Sequence, residues 1–232
     1  AKAVLVPTRA ENDFCATAED LAPYVNERSK LLILNTPSNP SGGVYSRQML
    51  EGIADLACRE NIMVLADEIY EKLVYDPGYE HVSIASFGEE MQQRTITVNG
   101  FSKAYSMTGW RLGYLAAPEW LTKRIGALQS HSTSNPTSFA QAGALAAING
   151  SDEAVDRMRE AFRQRRDLIF SLVNDTPGLS ASKPRGAFYI FVDVSATGLD
   201  SMVFANRLLE EAKLAVIPGK PFGQDTHVRL SY

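Results

Sequence analysis

The sequence predicts an α/β fold: a mostly parallel sheet covered by helices on both faces, a three-layer sandwich, followed by part of a smaller α+β unit. Three observations lead there. Short apolar runs recur at Ala3–Val6, Leu31–Asn35, Ile62–Ala66, Thr95–Val98 and Leu112–Ala116, and several are apolar at successive positions, as in strands covered on both sides. Between the second and third lies a helical pattern of conventional length, which makes the pair a strand–helix–strand unit and its pairing parallel. Beyond residue 150 one long amphipathic helix precedes several short strands, the pattern of a separate α+β unit.

The elements follow in order. Ala3–Val6 opens the chain as a strand already under way. After Leu31–Asn35, Ser46 is placed as a helix N-cap, with Met49, Leu50, Ile53, Leu56 and Ala57 at helical spacing behind it. Thr95–Val98 is β-branched and is broken by Asn99-Gly100. The small residues of Thr137–Asn149 form a helix that Gly150 ends as a C′ residue. A long helix starts near Ser151, with Val155, Met158, Phe162, Ile169 and Leu172 as its apolar stripe, and Thr176-Pro-Gly178 stops it. Its arginines (Arg157, Arg159, Arg163, Arg165, Arg166) alternate with acidic residues, which reads as a solvated, salt-bridged face rather than a polyanion site. Gly186–Val194 (strand), Ser201–Ala212 (helix), Ala215–Pro218 and Val228–Tyr232 (strands) complete the chain. The expected organisation is a large domain over 1–150, an interdomain helix over 151–175 and a small domain over 176–232.

Composition narrows the function classes. The 232 residues carry 45% apolar side chains, 22% charged ones and a net charge of −4, an ordinary globular balance that gives no reason to expect a nucleic-acid partner. No apolar stretch approaches the roughly 18 residues of a membrane span, and no signal-peptide pattern opens the chain. Cys15 and Cys58 are too few for a disulfide framework; they read as reduced thiols of a cytoplasmic protein, Cys58 buried on its helix.

The chemistry lies at three strand ends, where open α/β sheets place their ligands. After the strand at 31–35 comes Asn35-Thr-Pro-Ser-Asn-Pro-Ser-Gly-Gly43, a rigid loop that holds the Asn39 amide in a definite place. After 62–66 comes Asp67-Glu-Ile-Tyr70, a carboxylate and a phenol; the bland reading of Asp67 is a helix cap. After 95–98 come Ser102 and Lys103, with Arg111 eight residues beyond the lysine. Each group alone is ordinary turn chemistry. Together they match pyridoxal phosphate, whose pyridine nitrogen wants a carboxylate, its ring oxygen a phenol and an amide, its aldehyde a lysine, and its phosphate a guanidinium and a hydroxyl. Arg229 sits in the apolar strand context His227-Val-Arg-Leu-Ser231, where burial without an anionic partner is costly. A carboxylate ligand or a local acidic residue would each resolve that cost. His131 and His227 read as structural, and no His, Cys or carboxylate spacing suggests a metal site.

The runs Asn35–Gly43, Asp67–Tyr70, Ser102-Lys103…Gly109-Trp-Arg111, Gly186-Ala-Phe-Tyr189 and Val228–Tyr232 resemble the class I aminotransferases of pyridoxal-phosphate fold type I. Gln129-Ser-His-Ser-Thr-Ser-Asn-Pro136 is similar to the bacterial aspartate aminotransferase subgroup in particular. The resemblance runs along the whole chain. It implies that Lys103 is the Schiff-base lysine, that Asp67 pairs with the pyridine nitrogen, and that Tyr70 and Asn39 contact the ring oxygen. It further implies that Ser102 and Arg111 hold the phosphate and that Asn39 and Arg229 hold the substrate, Arg229 by its α-carboxylate. The implied activity is transamination between an amino acid, aspartate first, and a 2-oxo acid such as 2-oxoglutarate, in a cytoplasmic homodimer. Relative to the family pattern, the phosphate-binding N-terminal segment and the final helix are not in this sequence, so the 232 residues are expected to be inactive by themselves.

Two other readings compete. Aminotransferase-like domains also serve in lyases and transcription regulators. A serine hydrolase would take Gly100-Phe-Ser-Lys-Ala104 as a nucleophile elbow, with Asp193 and His227 completing a triad in the right order; the second glycine of the elbow is Ala104.

Overall fold

The computed structural model describes all 232 residues. Seven helices and eight strands follow one another as α1 (Ala18–Leu21), β1 (Leu31–Asn35), α2 (Arg47–Arg59), β2 (Met63–Asp67), α3 (Glu89–Gln92), β3 (Thr95–Gly100), β4 (Gly113–Ala116), α4 (Glu119–Ser130), α5 (Ser138–Asn149), α6 (Glu153–Asn174), β5 (Ser180–Ala181), β6 (Tyr189–Asp193), α7 (Ser201–Ala212), β7 (Ile217–Pro218) and β8 (His227–Ser231). The first sheet has the order β1-β2-β3-β4, and the second β5-β6-β8-β7. Both β1·β2 and β2·β3 are parallel and β4 is antiparallel to β3; every pair in the second sheet is antiparallel. A mostly parallel α/β sheet followed by a small α+β unit is the class the sequence predicts.

Local chemistry accounts for the boundaries. Ser46 caps α2 by accepting the Met49 amide at 3.2 Å, and Leu50, Ile53, Ala54, Leu56 and Ala57 turn inward onto Leu34, Val64 and Ala66. That cluster is the largest core. The opposite face of the edge strand is open, with Ile33 68% exposed, so in this chain helices do not cover both faces of β1. Ala3–Val6 forms no strand: its apolar run finds no sheet edge, and only Val6 packs against the α2 core. Cys15, not Cys58, is the buried thiol, and burial pushes it up to about 12. The α6 stripe holds except at Leu172, which is exposed; Gly150 ends α5 in an extended rather than a left-handed conformation.

The expectation for Arg166 needs correction. Arg157, Arg159 and Arg163 make exposed ion pairs along α6, but Arg166 is 1% exposed. Its two terminal nitrogens donate to both Asp76 oxygens at 2.9 and 2.8 Å, and one also reaches the Pro184 carbonyl at 3.0 Å. Arg185 adds a third donor to Asp76 at 3.1 Å. The helix thus spans two clusters: Met158 and Phe162 border Tyr70 and Tyr189, while Ile169, Phe170 and Val173 pack on the second sheet.

Burial alone would raise the Asp76 carboxyl, but the two guanidiniums hold it below its ordinary value. A carboxyl lowered on folding stabilises above its unfolded value, and that stability is lost as pH falls through the folded one. Asp76→Asn takes the bidentate partner from the buried Arg166 and leaves it only the Asp167 carboxylate and the Pro184 carbonyl, so it should destabilise the protein by about 3 kcal/mol at pH 7. Denaturant unfolding should show that deficit shrinking toward pH 3; a constant deficit would mean the ion pair is not its source.

Candidate active site

The three parallel strands end side by side. Asn35 lies opposite Asp67 in the β1·β2 register, and Asp67 opposite Val98 in β2·β3. Asn35 ties the ends together: its side-chain amide donates to the Asp67 carbonyl at 3.0 Å, and its Oδ1 accepts the Asn39 amide at 2.7 Å. The Asn35–Gly43 loop closes against the stretch leading to β6. The amides of Arg185 and Gly186 both donate to the Gly42 carbonyl at 2.9 Å. Gly42 has φ +72, and a Cβ there would stand 2.6 Å from Pro184 Cβ, so only glycine fits. Gly186 is equally confined, 2.8 Å from the Leu73 carbonyl. This weave brings residues distant in sequence to one place.

A continuous line of contacts runs through four of the predicted residues. The Asn39 Oδ1 accepts from Arg229 Nη1 at 2.7 Å. The Arg229 guanidinium lies 4.4 Å over the Tyr189 ring and 5.6 Å from that of Phe222. The Tyr189 and Tyr70 hydroxyls are hydrogen-bonded at 2.8 Å. Phe188 meets Tyr70 edge-on at 5.5 Å, and Lys103 Nζ lies 5.6 Å from the Phe188 centroid. Phe162 of α6 stacks on the same Phe188 at 5.2 Å. Asp67 is half-buried, its Oδ1 accepting the Ile69 amide at 3.2 Å. No helix follows it, so it is not a helix cap. Burial first, then the charge of Glu68, pushes its carboxyl up against the opposing pull of the Ile69 amide. The Tyr70 phenol is also pushed up, by burial and then by its bond to Tyr189.

Ser102 and Arg111 are placed less tightly. Ser102 is half-buried beside Lys103. Arg111 is exposed at φ 53, and its Nη1 donates to the Thr108 carbonyl at 2.9 Å; no contact joins it to Ser102 or Lys103. Arg229 has no carboxylate partner, and its buried Nε is without an acceptor, which removes the local salt bridge as its explanation. The hydrolase triad does not form: Asp193 accepts the Ser195 amide at 2.8 Å, and His227 Nδ1 meets Thr226 Oγ1 at 3.0 Å while its ring stacks on Phe191. Of metal-ligand types, Glu68, Glu71 and His81 come within 4.8 Å of one another, a grouping absent from the sequence spacing; Glu68 and His81 are already bonded to each other at 3.0 Å.

The donor set fits a phosphorylated pyridine aldehyde. It offers a lysine amine free of ion pairs, a half-buried carboxylate with spare acceptor capacity, a buried phenol and an orphaned guanidinium nitrogen. Tyr189 and Phe188 have no role in the sequence pattern beyond the Gly186–Tyr189 run; the signal they carry there is two adjacent aromatics entering a strand.

The family described as Aminotransferase class I and II matches residues 1–232. The aromatic-amino-acid aminotransferase 2 of Thermococcus litoralis is 45% identical over 235 residues, covering 100% of this chain and 60% of that protein. The aspartate aminotransferase of Bacillus sp. (strain YM-2) is 45% identical over 234 residues, covering 99% and 59%. The structure of Thermus thermophilus aspartate aminotransferase with maleate superposes with a TM-score of 0.92 at 40% identity, covering 99% of this chain and 59% of that one. The chain therefore spans about three-fifths of the length of these relatives.

Asp67 gives a prediction independent of catalysis. A carboxyl raised on folding costs stability above its folded value, and the cost vanishes as pH falls below the unfolded one. Without added cofactor, Asp67→Asn should unfold at higher temperature than wild type at pH 7, with the gain fading toward pH 4. An equal or lower melting temperature at pH 7 would show that burial does not strain this carboxylate.

Proposed function

The chain belongs to the class I and II aminotransferase family, and we propose that the protein carrying it moves an amino group between an L-amino acid, aspartate first, and a 2-oxo acid such as 2-oxoglutarate. The observation that carries this reading is Arg229: a guanidinium on the second sheet, without an acidic partner, its buried Nε lacking an acceptor and its Nη1 on Asn39. Such a group is made for a planar anion, and a substrate carboxylate supplies one with fork-to-fork geometry. The aspartate aminotransferase name and the dicarboxylate maleate of two relatives support aspartate over other amino acids.

The family's cofactor is pyridoxal phosphate, which when bound supplies an electron sink for charge at the amino acid's α-carbon. This chain's residues would divide the remaining work. Asp67 would hold a proton on the pyridine nitrogen, since a carboxylate strained by burial gains most from a cation beside it. Tyr70 and Asn39 would donate to the ring oxygen and fix the ring's orientation. Ser102 and Arg111 would bind the phosphate. Lys103 Nζ, free of ion pairs, would bind the aldehyde and carry a proton between neighbouring atoms of the reacting group as general base and acid. Arg229 would orient the amino acid through its carboxylate.

The protein is further read as a cytoplasmic homodimer. Two free thiols favour a reducing compartment, and no helix is long and apolar enough to cross a membrane. Trp120, Leu128, Phe139, Leu145 and Ile148 leave an apolar surface on α4 and α5, the kind a second subunit covers.

In the intact protein, Lys103→Ala should retain cofactor yet lose turnover of aspartate with 2-oxoglutarate by at least about 10²–10⁴-fold, the share of a positioned acid–base group. Near-normal turnover would end the proposal. Arg229→Lys keeps the charge but not the fork, so KM for aspartate should rise by roughly 10-fold or more while cofactor absorbance stays put. An unchanged KM would move the carboxylate site elsewhere.

A further inference from the structure

Tyr189 stands at the centre of the contact line yet has no part in the roles above. We propose that Tyr189 is a positioning residue for both halves of the site, its hydroxyl directing the Tyr70 proton and its ring carrying the Arg229 guanidinium. This deepens the aminotransferase reading and rests on it.

The first half follows from hydrogen-bond accounting. Tyr70 and Tyr189 are both buried, 4% and 5% exposed, and their hydroxyls are 2.8 Å apart. One bond has one donor. Tyr189 has no other acceptor in the structure, so a bound ring oxygen that takes the Tyr70 proton leaves Tyr189 to donate to Tyr70. A phenol that receives a hydrogen bond is a stronger donor through its own O–H, because the two bonds polarise each other. Tyr189 thereby strengthens the Tyr70 contact without touching the ligand.

The second half follows from register. In β6·β8, Tyr189 faces Ser231 and Phe191 faces Arg229. Tyr189 and Arg229 are therefore diagonal neighbours on one face of the sheet, within reach for an aromatic and a long side chain. The guanidinium rests 4.4 Å over the Tyr189 ring, with Phe222 on another side at 5.6 Å and Asn39 on one nitrogen at 2.7 Å. These contacts fix the plane of the fork and leave its remaining N–H groups for a carboxylate. A ring beneath a partly desolvated guanidinium also attracts it through the ring quadrupole.

The two functions separate by substitution. Tyr189→Phe keeps the platform and removes the hydroxyl; Tyr189→Leu removes both. Two equilibrium readings on the intact protein report them: the pH midpoint of the absorbance of bound pyridoxal phosphate, and the dissociation constant of maleate, an unreactive dicarboxylate. Tyr189→Phe should move the midpoint to higher pH, corresponding to a 2- to 10-fold gain in proton affinity of the bound group, in the same direction as Tyr70→Phe but by less. Its maleate affinity should stay within about twofold of wild type. Tyr189→Leu should show the same midpoint shift and bind maleate roughly 3- to 10-fold more weakly. A Tyr189→Phe midpoint equal to wild type overturns the proton-directing role, and unchanged maleate binding in Tyr189→Leu overturns the platform. If the wild-type protein forms no absorbance band with added pyridoxal phosphate, the transamination reading itself fails, and this proposal with it.

Discussion

A single buried guanidinium holds this molecule together where its parts meet. Arg166 projects from the middle of α6 into a space with almost no water, and there it is held by both oxygens of Asp76 and by the Pro184 carbonyl. Asp76 follows the Asp67–Tyr70 motif, Pro184 precedes β6, and α6 precedes the second sheet. The pair therefore pins three stretches that also meet through the apolar cluster of Tyr70, Leu73 and Tyr189 with Met158 and Phe162. Taking both charges out of water is expensive, and their attraction offsets that cost only because the geometry is bidentate and the spare donors are satisfied. Such a pair adds little net stability over an apolar replacement. Its contribution is arrangement: with the wrong register between α6 and the 184–189 stretch, the guanidinium would lose Asp76 and Pro184 and keep only its neighbour Asp167.

The geometry of the candidate site hangs from that junction. Next to Pro184, Arg185 reaches the same Asp76 and the Gly186 amide is bonded to Gly42. The Ala187 amide donates to the Leu73 carbonyl, and the Tyr75 hydroxyl donates to the Ala187 carbonyl. Residues 188 and 189 thus enter the site along a path fixed by bonds to both motif loops. Phe188 can then lie between Lys103 and Tyr70, and Tyr189 between Tyr70 and Arg229. Two glycines without room for a Cβ are the local cost of such close backbone approach.

Most of the first sheet was legible because its signals are local. β-branched runs, the Ser46 cap and the α2 stripe all act within a few residues, whereas Asn99-Gly100, expected to break the third strand, continues it because β4 pairs with both residues. The failures have physical reasons. Ala3–Val6 has strand composition, but a strand needs a partner edge and it finds none. The α4 helix leaves no mark in the sequence because no residue of Glu119–Ser130 is buried, so no single apolar face stands out. Arg166 reads like the solvated arginines because its partner lies 90 residues away; helical spacing cannot distinguish a buried arginine from an exposed one. Among the candidate site residues, the strand-end placement of Asn39, Asp67, Tyr70 and Lys103 is readable from sequence, since each lies at or just beyond the end of a strand. Tyr189 was not, because its contacts depend on which residue of β8 lies diagonal to it.

The division of labour between the sheets has a mechanistic consequence. The first sheet presents Asn39, Asp67, Tyr70 and Lys103 at its strand ends, whereas Arg229 and Tyr189 come from the second. The two sets are joined by only two direct polar contacts between predicted or positioning side chains, Tyr70–Tyr189 and Asn39–Arg229. Both are short side chain–side chain bonds, so a small rotation of the second sheet would stretch them together. An anion held at Arg229 would then favour the arrangement in which Tyr70 and Asn39 are also aligned, because Arg229 and Tyr189 are carried on the same sheet. On the proposed reading, binding energy gathered at a carboxylate on Arg229 would be passed to the side chains that orient the ring, the way remote contacts raise rate and not affinity alone.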